Sequence, residues 1–516
     1  MASPENGAGP RISDLPVGMR VSVPVFLTSV LLIFLFIVFT LNAGKDAEGI
    51  FSDLKTLMAK DTGWFFILTA NLLLLFSLFL LFSPFGRLRL GGVDAKPEFS
   101  TWGWLAMLFS AGMGIGLVFW AVAEPLYHYG APPLDQLAEP GKHSRAEQAM
   151  GVTFLHWGLH PWAIYAVLGL GLAYASFNRG LPLSVRSLFQ PMLGDRIYGF
   201  WGHVIDILAV LATLFGVATS LGLGVSQVGA GLDKVFGTGQ SLELKLALIA
   251  GITAIATISV VTGVKKGIRF LSELNMILAG CLLLAVLFFG PTLFLLNGYI
   301  ENIGYYIQHF PRLATWTETY TGTSWQDSWT VFYYAWWISW SPFVGMFIAR
   351  ISKGRTVREF ILAVLIVPTL IGFAWLNVFG GSALFTELFG AGGLTEALKG
   401  GAQNALFTLL ETMPLAFWTS LLATIVVITF FVTSSDSGSL VIDMIAAGGD
   451  PNPPVAQRVF WATTEGIVAA TLLIGGGLTA LQTASVTTGL PFALVLILSC
   501  FGLYRWLAED AASLPR

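Results

Sequence analysis

Apolar residues run along this chain in long unbroken stretches, with neither the alternation of a half-buried strand nor the one-sided stripe of a soluble helix. "VPVFLTSVLLIFLFIVFTL" (Val23 to Leu41) is the first of these, and comparable stretches recur to the far end. Each is near the roughly 20 residues needed to cross a hydrocarbon core about 30 Å thick. Apolar length, broken by Pro, Gly and charge, predicts twelve spans beginning near residues 22, 63, 101, 149, 204, 243, 270, 326, 357, 414, 456 and 487. The fold class expected is an all-α, polytopic membrane protein. Composition agrees: 55% of residues are hydrophobic and 11% charged, against about a quarter charged in a soluble domain.

Lys and Arg fix an orientation. With the N-terminus inside, the cytoplasmic segments carry twice the basic residues of the outer loops, and the dense group Arg350, Lys353, Arg355 and Arg358 falls inside. Both termini are therefore expected in the cytoplasm. Two connections are long: 298–325, readable as a helix lying along the outer interface, and 379–413, readable as a short re-entrant or external helix. The polar start "MASPENGAGPRISDLP" lacks a signal-peptide core. Net charge is −3, which gives no reason to expect a nucleic-acid partner. Cys281 and Cys500 are far apart in apolar stretches and read as small core hydrophobes, and no metal-ligand spacing of His or Cys appears.

One span is crowded with aromatics: "VFYYAWWISW", Val331 to Trp340. At 100° per residue Trp329, Tyr333, Trp336, Trp337 and Trp340 fall on one stripe about 100° wide and about 16 Å long. Interfacial belts cluster at span ends, so this stripe is something else. Helix–helix packing is one reading. The other is a cage of ring faces around a cation. A second aromatic group, Trp157, Trp162 and Tyr165 in "HWGLHPWAIY", brackets Pro161, which is expected to kink its helix. Two spans thus offer a box suited to quaternary ammonium, which has no N–H to donate.

Gly112, Gly114 and Gly116 in "AGMGIG" make a poor helix interior. A GxxxG packing face competes with local unwinding, which membrane depth tolerates only around a cavity or site. "FFVTSSDSGS" clusters Thr433, Ser434 and Ser435 before Asp436. Their hydroxyls either ligate a hard monovalent cation or bond back to their own helix. Glu124 and Asp436 are expected in structural pairs near the surfaces, Asp206 at an interface, and His156 and His160 as packed or gating residues.

These segments together resemble the betaine/choline/carnitine transporter family. The run "WTVFYYAWWISWSPFVGMFIARISKGRTVREF" is similar to its signature, and "AGMGIGLVFWAVAEP", "HWGLHPWAIYAVLGLGLAY", "KKGIRFLSELNM", "FFGPT" and "FFVTSSDSGS" follow in family order, covering roughly 15–507. The resemblance implies a LeuT-type inverted repeat of five plus five helices with two extra N-terminal helices, and alternating access at a midplane site. The organisation is then a cytoplasmic N-terminal tail (1–21), two peripheral helices with loops (22–100), a first repeat (101–297), an outer interfacial helix or loop (298–325), a second repeat (326–505) and a short cytoplasmic tail (506–516).

The resemblance also implies site residues. The ammonium box maps to Trp157, Trp162, Tyr165 and Trp337, with Trp340 and Trp336 further along the path. The unwound backbone of Gly112, Met113, Gly114 and Gly116 would meet the substrate carboxylate. A sodium ion would take the carbonyls of Ser110, Met113 and Phe430 and the hydroxyls of Thr433 and Ser434. Thr213 and Phe343 match a second sodium position, but Val217 stands where its other hydroxyl is expected. Gly116 supplies no charge for choline, which favours a zwitterion such as glycine betaine. The expectation is a sodium symporter for an onium osmolyte in the bacterial inner membrane, needing no cofactor beyond the coupling ion and contacting membrane lipid. A homotrimer is among the assemblies the resemblance implies. Alternatives are a proton-coupled or sodium-independent choline carrier and, behind it, a carnitine-type exchanger. With a short last segment, "YRWLAEDAASLPR", osmotic activation through a tail is not expected. An integral-membrane enzyme would need convergent acid, base or metal groups, and a ligand-gated channel or sensor would not accumulate substrate against a gradient.

Overall fold

A computed structural model describes residues 12–15, 18–112, 114–133, 141–262 and 264–512. Helices α1 (Val23–Ala43) and α2 (Ala47–Phe82) lead into a broken pair, α3 (Thr101–Gly112) and α4 (Ile115–Gly130). A second broken pair follows, α5 (Lys142–Trp157) and α6 (Leu159–Arg179), and then the short α7 (Gln190–Leu193). The chain continues through α8 (Phe200–Phe236), α9 (Leu242–Thr262) and α10 (Val264–Phe289). Beyond it come α11 (Thr292–Thr315), α12 (Trp325–Ser328), α13 (Thr330–Ile351) and α14 (Val357–Phe389). The last stretch holds the short α15 (Leu394–Ala397) and α16 (Ala405–Glu411), then α17 (Ala416–Ala446) and α18 (Val455–Ala511).

Eight helical segments among the described residues are long and apolar enough to cross a membrane, and α10 and α11 add a pair bent by 109°. The protein is therefore a multi-pass membrane protein. Helix α13 is not among the eight, because its Tyr, Trp and Ser positions lower its apolarity, yet it is buried from Thr330 to Met346. It packs on α2, α6, α8 and α18 at the centre of the bundle. By contrast α1 exposes Leu27, Leu31, Phe34 and Leu35, as a helix facing lipid does.

Several expectations are corrected. A small antiparallel hairpin, β1 (Ser13–Leu15) with β2 (Met19–Val21), stands in what was read as a plain tail. It is held by Arg20 N–H donating to Gln457 Oε1 at 3.0 Å and Ser22 N–H to the Ala446 carbonyl at 2.8 Å. Helix α11, in the connection expected from 298, starts at Thr292. Residues 379–389, placed with the connection 379–413, instead continue α14. Helix α18 covers two expected spans, with non-helical dihedrals at Gly476 and Gly477 marking the bend. The helix next to Pro161 breaks three residues earlier, at Gly158, so the proline falls in the first turn of α6, where its missing N–H costs nothing. Asp206 is not interfacial: it is wholly buried and paired with Arg186. Cys281 is exposed rather than a core residue, and Cys500 is half-buried.

Candidate functional site

The break between α3 and α4 is where "AGMGIG" falls. Helix α3 ends at Gly112 and Gly114 is extended, with φ −146° and ψ −179°, before α4 resumes at Ile115. Unwinding, not a continuous GxxxG face, is what these glycines allow. The freed stretch meets rings. A Cβ on Gly114 would lie 3.0 Å from Trp340, and one on Gly116 would lie 2.5 Å from Trp336 and 3.3 Å from Trp157.

The aromatic stripe forms a column of rings. Trp329 stacks on Tyr333 at a centroid distance of 6.4 Å, Tyr333 lies 5.8 Å from Trp337, Trp337 stacks on Trp336 at 4.8 Å, and Trp336 meets Trp340 edge-on at 6.4 Å. Trp329 caps α13 from just outside it. The four box residues form two ring pairs: Trp157 with Trp337 at 4.8 Å, and Trp162 with Tyr165 at 5.5 Å. Trp337 is fixed by its indole N–H donating to the His156 carbonyl at 2.8 Å. The Tyr165 hydroxyl and the Trp340 indole N–H are buried without a partner. They share this with other buried donors such as Trp120 Nε1 and the Tyr334 hydroxyl, and a polar ligand is one partner such groups can take.

The residues expected to hold a cation lie as follows. The Thr433 hydroxyl donates to the carbonyls of Thr429 and Phe430 at 3.0 and 3.1 Å, the back-bonded state, which brings two of the expected ligand oxygens together; Ser434 is buried next to it in the chain. Ser110 lies in α3, while Met113 is outside the described residues. At the second position the Thr213 hydroxyl bonds back to the Ala209 carbonyl at 2.7 Å, Phe343 packs edge-on to Trp340 at 5.4 Å, and Val217 is buried.

The sequence reading passed over one constellation. Glu124, read as a near-surface pair, is wholly buried, and its carboxylate accepts from His156 Nδ1 at 2.6 Å, Trp157 Nε1 at 2.7 Å and the Tyr333 hydroxyl at 2.5 Å. His128 Nε2 is 3.3 Å away. The ligand atoms of Glu124, His128 and His156 lie within 4.8 Å of one another, a spacing that could take a metal ion; here both imidazoles lie within hydrogen-bond distance of the Glu124 carboxylate, and His128 Nδ1 is buried without a partner. The signal was present in "AEPLYHY", a carboxylate and a histidine one helical turn apart inside an apolar run. Asp436 is likewise buried rather than near a surface, and accepts from the Ser259 hydroxyl at 3.2 Å.

A broken membrane helix whose glycines meet a column of rings is an arrangement that membrane carriers use at their binding sites. Residues 24–512 match the family described as betaine/carnitine/choline family transporters, and the chain belongs to that family. It is 46% identical to a glycine betaine/proline/choline transporter of Vibrio parahaemolyticus, over 96% of this chain and 92% of that protein. A glycine betaine transporter of the same organism is 47% identical over 94% of each chain. A glycine betaine transporter of Acinetobacter baylyi is 41% identical over 95% of this chain and 74% of its own length.

Proposed function

We propose that this protein is a secondary transporter that imports a quaternary-ammonium osmolyte, glycine betaine foremost, by sodium symport with alternating access. The observation that carries the reading is the contact between the α3–α4 break and the rings of α5 and α13: Gly116 against Trp336 and Trp157, and Gly114 against Trp340. Ring faces suit a trimethylammonium head, and free backbone N–H groups at a half-helix start suit a carboxylate. The names of the relatives from Vibrio and Acinetobacter point to the same substrates. In this reading Trp157, Trp162, Tyr165 and Trp337 hold the head group, Trp336 and Trp340 line the path, and Phe430, Thr433 and Ser434 with Ser110 and Met113 hold sodium.

Twelve spans follow if α3–α4 and α5–α6 each count once and α18 counts as two legs. They would be arranged as an inverted repeat in a bacterial inner membrane with both termini in the cytoplasm. The deciding experiment is uptake of labelled glycine betaine into proteoliposomes under an inward sodium gradient against equimolar potassium. Accumulation only with sodium supports the symport; uptake indifferent to sodium removes it and favours choline carried by proton coupling or facilitated entry.

A further inference from the structure

Glu124, His128 and His156 bring together three metal-ligand atoms that the transport reading leaves without a role. Glu124 and His128 stand one turn apart on α4, and His156 reaches across from α5. The two carboxylate oxygens have different neighbours. Oε2 accepts from Trp157 Nε1 at 2.7 Å and from the Tyr333 hydroxyl at 2.5 Å, while Oε1 faces both imidazoles. His128 Nε2 lies 3.3 Å from that oxygen and His156 Nδ1 2.6 Å from it, and the three ligand atoms all fall within 4.8 Å of one another. Bonds of about 2.0–2.1 Å to a tetrahedral ion place its ligand atoms about 3.3 Å apart. Of the two contacts to Oε1, only that of His156 then has to open, by less than an ångström. The supporting groups are also those of a metal site. A ligating histidine gives its other N–H to an acceptor, and His156 Nε2 lies 3.0 Å from the Thr330 hydroxyl. Two imidazoles and one carboxylate suit a zinc-type ion rather than the hard ions that ask for oxygen alone. Protons shared among the same atoms give way to such an ion, since its ligands bind deprotonated.

All three residues are wholly buried. Trp325 and Trp329 cover His128, with ring centroids 5.1 and 4.5 Å from it, and Trp325 stacks on His156 at 6.0 Å. His128 is two residues from the exposed Gly130 at the end of α4, so an ion enters there when Trp325 and Trp329 move aside. Once bound, it changes the box. A divalent ion on a single carboxylate leaves a net positive charge, and the same carboxylate holds the indole N–H of Trp157, whose ring pairs with Trp337. That charge acts beside the ring faces that would take an ammonium group, in buried surroundings that screen it little. We propose that Glu124, His128 and His156 bind a divalent transition-metal ion of the zinc type, and that the bound ion opposes an onium ligand in the aromatic box.

The metal site stands apart from the onium reading, and only its opposing effect rests on that reading. The full-length protein, prepared without a polyhistidine tag and stripped of metal by a chelator, is titrated with Co²⁺ and followed by its visible absorption, then with Zn²⁺ in competition. A four-coordinate cobalt band that saturates and is displaced by Zn²⁺ is expected. His128→Gln, which keeps an N–H for Glu124 and loses the ligand nitrogen, should weaken binding about a hundredfold, and Thr330→Val, which keeps all three ligands and removes the acceptor of His156, about tenfold. No band in the wild type, or equal affinity in all three proteins, overturns the site. Should His128→Gln fail to melt cooperatively, Thr330→Val decides alone, and an unchanged affinity there overturns the site. The second measurement is glycine betaine binding, read by tryptophan fluorescence, with and without Zn²⁺ at a concentration that fills only the wild type. Zn²⁺ should weaken it about tenfold in the wild type and leave His128→Gln unmoved. Equal affinity with and without Zn²⁺ in a wild type that has taken up the metal overturns the opposing effect. A wild type that takes up metal and never binds glycine betaine sinks the onium reading, and the opposing effect with it, while the metal site stands.

Discussion

A Cβ on Gly116 would lie 2.5 Å from Cη2 of Trp336, closer than real carbon contacts come. The ring of Trp336 is itself stacked on Trp337 and Phe332, so it cannot swing aside without disturbing the column. Gly116→Ala should therefore displace the rings at a cost of about 1–3 kcal/mol. In uptake assays with glycine betaine, a fall of roughly tenfold at normal membrane expression is expected. Uptake within twofold of wild type would mean that the rings have slack and that the glycine serves only the helix break.

Trp337 joins the two spans of the box, its ring against Trp157 and its indole N–H on the His156 carbonyl. Trp337→Ala removes a ring face worth about 0.5–2 kcal/mol to a desolvated cation. The half-saturating substrate concentration should rise by about tenfold with the maximal rate less affected. Trp337→Phe keeps a ring and loses only the hydrogen bond, so its rise should be smaller. Equal effects of the two substitutions would assign the role to the hydrogen bond.

Thr433 separates substrate from coupling ion. Its hydroxyl stands 3.1 Å from the Phe430 carbonyl oxygen, and it bonds its own helix. Under the sodium reading Thr433→Ala should raise the sodium concentration for half-maximal uptake by about tenfold or more, since a lost oxygen ligand is not replaced by a methyl group. Substrate affinity at saturating sodium should stay within about threefold. An unchanged sodium dependence would leave Thr433 as a back-bonded residue and nothing more.

What the sequence made legible, and what it did not, follows from the kind of signal each feature leaves. The stripe on α13 could be read directly, because helical periodicity fixes which rings share a face, and Trp329, Tyr333, Trp336, Trp337 and Trp340 do form one column. The unwinding at Gly112–Gly114 was legible from glycine density. The Glu124 cluster was hidden because three of its four donors come from other helices: His156 and Trp157 lie more than thirty residues away, and Tyr333 more than two hundred. A carboxylate near a proline in a span end reads as a surface residue until the bundle is assembled around it. The kink assigned to Pro161 belongs to Gly158, where a Cβ would lie 2.5 Å from the Phe154 carbonyl oxygen and 2.9 Å from Phe373. The contact with Phe373 is tertiary, and no local propensity records it.

The buried pair of Arg186 and Asp206 should be a stability element apart from transport. Asp206 Oδ1 accepts from the Ser184 hydroxyl at 2.7 Å and from the Arg186 backbone N–H at 3.1 Å, and Oδ2 pairs with the Arg186 side chain. Both side chains are wholly buried, so the carboxylate ties the segment that precedes α7 to the first turns of α8. Asp206→Asn leaves the guanidinium buried without a counter-charge, a loss of about 3–5 kcal/mol when one partner of such a pair is removed. The variant should unfold at clearly lower temperature or denaturant concentration in detergent, and sodium or substrate should not restore it. Replacing both partners, Arg186→Met with Asp206→Leu, removes the stranded charge and should recover much of the loss, because a well-packed apolar pair is often as stable as the ion pair it replaces. If the double variant melts no higher than Asp206→Asn, the hydrogen bonds to Ser184 and to the Arg186 backbone, not the ion pair, hold the segment in place.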